Sequence, residues 1–218
     1  MPETEQRPIS ARLVVSDGCV HCKNTLTILQ GFVDQGLIGK PEIINLTRQP
    51  ELAEEMGVRS VPWLQLDDLI FEGAHTTSEL RTWIDRIHKG NYGPGYIGEL
   101  LESGRLPLAR RWLSDNPVHW QALVSLAADT QTPITTRIGI GALFEENEGK
   151  EVLQNLVNNL AELCRNPSAR IRADGCFFLS LTRNPEARPV LEHCLHDSDS
   201  TVREIAEEGL DKLRPLPN

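Results

Sequence analysis

The sequence predicts an α/β domain of order βαβαββα followed by an all-α array of helices. Three observations predict it. Cys19-Val20-His21-Cys22 stands between an apolar run and an amphipathic segment. Further β-type runs follow at short intervals as far as residue 89. Beyond a Gly- and Pro-rich join, apolar residues recur almost only at three and four.

The elements can be justified in order. Residues 1–10 are polar and Pro-containing, and are expected to be flexible; the first domain is expected over 11–89. After Arg12, Leu13-Val14-Val15 reads as a strand. The cysteine pair opens a helix in which Leu26, Ile28, Leu29, Phe32 and Val33 fall at roughly helical spacing. Pro41-Glu42-Ile43-Ile44-Asn45-Leu46 is a second strand, and Gln49 to Met56 a second helix, with Pro50 at its start and Gly57 beyond its end. Val61-Pro62-Trp63-Leu64-Gln65-Leu66 reads as a strand entered through a proline. Asp67-Asp68 is a tight turn, Leu69-Ile70-Phe71 the hairpin partner, and Ser78 to His88 the closing helix.

Two thiols at i and i+3 at a helix start suit thiol–disulfide exchange. The first backbone N–H groups of a helix have no intrahelical acceptor and its dipole is positive there, so a thiolate is favoured over a thiol. Cys19 is the expected nucleophile. Cys22, one turn further in, can attack a mixed disulfide formed at Cys19 and is the expected resolving thiol. His21, when protonated, adds a positive charge beside Cys19 and stabilises its thiolate, within the ~3.5–7.5 pKa range of such sites. A zinc half-site or two packing cysteines would also explain a CxxC. Structural zinc needs four ligands, however; no second CxxC or HxxxH completes the set, and His21, His75 and His88 are scattered. No metal and no cofactor are expected.

The stretch from about Ala11 to Lys89 resembles a compact thioredoxin fold of glutaredoxin length. The resemblance rests on Cys19-Val20-His21-Cys22, on Gly57-Val58-Arg59-Ser60-Val61-Pro62, and on Phe71-Glu72-Gly73 leading into the last helix. It implies that Pro62 is a cis-proline set against the dithiol, and that Val61 offers its backbone to an extended substrate. Trp63, next to Pro62, is a candidate substrate platform or a core residue. The chain departs from the family in three places. Val-His separates the cysteines, with His21 similar to the Pro-His of bacterial disulfide oxidases, so the redox direction stays open. Leu13 stands six residues before Cys19, where thioredoxins carry a buried acid. Asp17 is nearer and reads as a turn acid or a base. Gly73-Ala74-His75-Thr76-Thr77 lacks the Gly-Gly-x-Asp pattern of glutaredoxins, which disfavours tight glutathione binding and leaves a protein disulfide as the expected substrate.

Residues 90–96 read as a linker, because His88 to Gly95 is rich in helix breakers. Over 97–218, breaks fall at Asn116-Pro117, Thr132-Pro133, Asn166-Pro167, Asn184-Pro185 and Ser198-Asp199. An internal repeat runs through them. Asp197 to Ala206 resembles the start of a HEAT-like repeat helix, Ser168 to Arg172 repeats it, and a weaker copy begins at Pro133, at spacings of about 31–35 residues. The resemblance implies a helical solenoid whose units bury apolar faces by stacking, with a partner or client protein on its concave face. Arg172 and Arg203 are expected to bridge to acids such as Asp197 or Asp199. Cys164, Cys176 and Cys194 lie among apolar residues and read as inert, buried side chains.

Composition narrows the function. A net charge of −9 argues against a general basic surface for nucleic acid. The N-terminal residues carry no apolar signal region and no stretch approaches a membrane span, so a cytoplasmic protein without membrane attachment is expected. An odd cysteine total argues against a disulfide-stapled secreted chain. The reading is a cytoplasmic thiol–disulfide oxidoreductase acting on protein disulfides, with electrons from a thioredoxin reductase or glutathione. The alternative is a redox-sensing scaffold or holdase-type chaperone in which the solenoid binds clients.

Overall fold

The computed structural model describes residues 7–213, and the chain divides into two units between Tyr92 and Gly93. The first unit contains β1 (Ala11–Val15), α1 (Val20–Asp34), β2 (Glu42–Asn45), α2 (Glu51–Glu55), β3 (Trp63–Leu66), β4 (Leu69–Glu72) and α3 (Thr77–Lys89), the order expected. The four strands form one sheet in the order β2-β1-β3-β4. The α1 crossover makes β2 parallel to β1, whereas β3 is antiparallel to β1 and to β4.

Side-chain alternation along the strands divides the core between the two faces of the sheet. Val14, Ile44 and Trp63 are buried on one face, covered by half-buried Leu52, Met56 and Val58 of α2 and the loop after it. Phe71 lies on the other face, its ring 5.8 Å from that of Trp83 of α3. Arg81 of α3 covers the Phe32 ring of α1 and donates a hydrogen bond to Gln35, so α1 and α3 share that face. The ends of α3 are closed by a Thr76–Glu79 capping box and by Gly90, whose φ of 65° a residue with a Cβ adopts at a cost.

Two expectations about boundaries are corrected. Part of the N-terminal segment expected to be flexible lies outside the described residues, but Ile9 and Ser10 belong to the fold. Ile9 is 1% exposed and bridges Ile38, and Ser10 donates to the Asp67 carboxylate through both its backbone N–H and its hydroxyl, each at 2.9 Å. That carboxylate sits on the Asp67-Asp68 hairpin turn, so the turn fastens the chain before β1. The linker is also shorter than 90–96, because Gly93-Pro94-Gly95 forms the first turn of the next helix, where a proline loses no intrahelical hydrogen bond, and Tyr96 is 2% exposed.

Among the described residues, the regular elements of the second unit are all helices: α4 (Gly93–Glu102), α5 (Leu106–Asp115), α6 (Trp120–Ala128), α7 (Ile134–Glu145), α8 (Glu151–Gln154), α9 (Val157–Leu163), α10 (Ala169–Leu181), α11 (Arg188–Cys194) and α12 (Ser200–Lys212). All five polar or proline breaks fall between helices. The Pro117 and Pro185 breaks each form a short 3-10 turn.

Near the starts of α7, α10 and α12, three arginines make matching contacts. Arg137 donates to the carbonyls of Ala127 and Asp129, Arg172 to those of Asn166 and Pro167, and Arg203 to those of Asp197 and Ser198. Each caps the turn before its own helix. Arg137 also reaches Asp174, and Arg172 forks onto Asp197 with two bonds of 2.7 Å. Arg203 finds backbone carbonyls where a carboxylate partner was expected. Hydrogen bonds from Arg172 pull the Asp197 carboxyl down to about 2, whereas burial raises that of Asp174 despite Arg137 beside it.

Candidate redox site

β1 carries the chain to the end of the sheet, and Ser16-Asp17-Gly18 turns it into α1. Gly18 has a φ of 76°, which glycine adopts without the steric cost of a Cβ. The turn is fastened from β2 and the loop beyond. Asn45 donates to the Asp17 carboxylate at 2.8 Å, and the Asp17 N–H donates to the Thr47 hydroxyl at 3.0 Å. Asp17 is exposed and this side-chain contact holds it as a turn residue. Asn45 and Thr47 escaped the sequence reading, because nothing in the spacing from 17 to 45 and 47 announces that parallel pairing of β1 with β2 brings them together.

Cys19 is the N-cap of α1, and its Sγ accepts the backbone N–H of Cys22 at 3.1 Å. The two form a disulfide, with Cα atoms 5.3 Å apart. Their surroundings differ. Cys22 is 2% exposed, whereas Cys19 is only half-buried between exposed Gly18 and Val20. Cys19 is thus the more accessible residue of the pair. His21 lies exposed on the same turn.

The strand register brings the proline segment to the same end of the sheet. Val14 pairs with Trp63, so Pro62, one residue earlier in the antiparallel strand, comes to the end of β1 from which the loop to Cys19 departs. The Val61-Pro62 peptide is cis, and the Pro62 carbonyl accepts the Gly73 N–H at 2.9 Å. Val61 is half-buried beside the Val14–Ile44–Trp63 cluster. Trp63 is 3% exposed within that cluster, which corrects the substrate-platform reading: its alternation partner Leu64 faces the opposite core, and the indole faces inward. Leu13 is fully buried in an apolar strand, so no carboxylate occupies that position.

Residues 12–85 match the family described as a thioredoxin domain, and the N-terminal unit is thus thioredoxin-like in fold, in sequence pattern and in its cysteine pair. The match covers the strands, α1 with its CxxC, and the cis-proline segment, and ends within α3; it does not extend into the helical unit. No curated protein matches the chain. Among the described residues, no helix is long and apolar enough to cross a membrane.

Proposed function

We propose that the protein is a thiol–disulfide oxidoreductase acting on disulfides of partner proteins. The carrying observation is the asymmetry of the dithiol: an accessible Cys19 at the helix N-cap and a buried Cys22 whose N–H faces the Cys19 sulfur. The Cys19 thiolate attacks one sulfur of a partner disulfide, forming a mixed disulfide and releasing the partner's other sulfur as a thiolate. Cys22, once deprotonated, attacks Cys19 Sγ, closes the internal disulfide and releases the reduced partner. The terminal N–H groups of α1 and a protonated His21 both favour negative charge on Cys19. The partner's extended segment lies along Val61-Pro62, pairing with the Val61 backbone, and the helical unit, read as a HEAT-like solenoid, selects the partner. In a reducing cytoplasm the net direction is reduction, with electrons returned by a thioredoxin reductase or by glutathione.

The test is an equilibrium titration of Cys19/Cys22 against glutathione redox buffers, read by the mass added on thiol alkylation. A potential near the ~−270 mV of thioredoxin supports a reductase, and one near the ~−120 mV of strong oxidants reverses the direction. Absence of a reversible Cys19–Cys22 couple overturns both.

A second reading rests on the surface of the helical unit. Ile134 and Ile138, one turn apart on α7, are 68% and 67% exposed, and Val118 is 78% exposed. Such residues suit a holdase-type scaffold that binds unfolded clients while the dithiol senses oxidation. Client binding that differs between the oxidised and reduced forms, without catalytic turnover, would favour it.

A further inference from the structure

Cys164, Cys176 and Cys194 are far apart in sequence and come from three different helices, yet their sulfurs all lie within 4.8 Å of one another. Cys164 follows the last residue of α9, Cys176 lies in the middle of α10, and Cys194 ends α11. They are 7%, 0% and 2% exposed, and the Cys164 and Cys176 sulfurs are 3.9 Å apart. The backbone is shaped to allow this. A Cβ on Gly175 would stand 2.8 Å from Leu163 Cβ and 3.0 Å from both the N and the Sγ of Cys164, so only glycine lets α10 approach the end of α9 this closely.

We propose that this cluster is a metal site that binds one copper(I) ion through three thiolates. Soft sulfur ligands favour soft ions. An ion about 2.3 Å from each of three sulfurs in a plane holds them about 4 Å apart, which the Cys164–Cys176 pair already satisfies. Among the described residues, no further His, Cys, Asp or Glu joins the group. A structural zinc ion, which requires four ligands, is therefore left one short, whereas copper(I) is satisfied with three. Binding displaces the three thiol protons to solvent and changes no oxidation state. Entry is by opening at the end of α9, where Cys164 is the most exposed of the three. The site is independent of the redox chemistry proposed for the first unit.

The experiment uses the full chain with Cys19→Ser and Cys22→Ser, so that the other dithiol takes no copper. The reduced, anaerobic protein is titrated with copper(I) against the chelator bicinchoninate, and the loaded protein is examined by X-ray absorption at the copper edge. The expected result is one copper per chain withheld from the chelator, a first shell of three sulfurs, and loss of that copper when Cys164, Cys176 and Cys194 are replaced by alanine. Copper retained by the alanine variant overturns the site, as does a first shell containing fewer than three sulfurs or nitrogen and oxygen. So does zinc(II) held in preference to copper(I). If the alanine variant does not fold, the ligand count on the intact cluster decides. Mass spectrometry of the unloaded protein showing a disulfide among the three cysteines overturns the proposal in favour of a buried cystine.

Discussion

The backbone N–H of Cys22 points at the Cys19 sulfur across 3.1 Å, so the buried cysteine of the pair supplies a donor to the more exposed one. A charged acceptor gains more from such a hydrogen bond than a neutral one, so the contact stabilises the Cys19 thiolate after reduction. From this follows a division of labour. Cys22→Ser is expected to accumulate mixed disulfides with partner proteins, visible as reductant-sensitive bands on a non-reducing gel. Cys19→Ser is expected to form none and to lose all turnover in a disulfide-reduction assay. Trapping by Cys19→Ser and not by Cys22→Ser would reverse the two roles.

Gly175→Ala places a methyl group against Leu163 and the Cys164 backbone. A helix-interior alanine ordinarily stabilises, but here the overlap requires α9 and α10 to separate, and overpacking of this kind costs about 1–3 kcal/mol. A lower denaturation midpoint, followed by far-UV circular dichroism in urea, is expected. A raised midpoint would show that the interface yields without cost.

Acid sensitivity of the helical unit is expected to pass through Asp197. Its carboxyl lies at about 2 in the folded chain, below the ordinary 3.8, because Arg172 hydrogen-bonds its charged form. A depressed folded value means that the contribution is full above pH 4 or so and is lost as the pH falls toward about 2. At full strength it is about 2 kcal/mol, for a pair whose side chains are only 15% and 11% exposed. Asp197→Asn should lower stability at neutral pH by about that amount and flatten the stability-versus-pH curve through the acid window. An unchanged acid slope would place the sensitivity elsewhere.

The exposed pair on α7 separates the two functional readings. Changing both Ile134 and Ile138 to Glu is expected to move stability by less than about 0.5 kcal/mol, since neither side chain packs in the core. If the helical unit holds clients, the same change lowers its capacity to suppress aggregation of an unfolded protein, as read by light scattering. Equal suppression by the variant would remove these residues from any client surface.

Much of the first unit was legible from the sequence because its signals are local. The apolar run before Cys19, the apolar Trp63-Leu64-Gln65-Leu66 run after Pro62 and the Asp-Asp turn each specify their own few residues, and the elements followed in the expected order. Boundaries were less legible where a residue type permits two uses. Gly93-Pro94-Gly95 reads as a break, yet proline and glycine are tolerated in a first helical turn, where N–H groups lack partners anyway. Trp63 beside Pro62 could face either side of the sheet until the strand's register was fixed.

By itself, then, the sequence determined the place of the CxxC before a helix, the strand and helix order, and the places where helices break, because those depend on residues within a turn or two of each other. Only the tertiary structure decided which cysteine of the dithiol is the more exposed, that Asn45 and Thr47 hold the turn before Cys19, and that the sulfurs of Cys164, Cys176 and Cys194 lie within 4.8 Å of one another. Those relations join residues from different strands and helices, and they exist only once parallel strand pairing and the close approach permitted by Gly175 have brought distant backbone together.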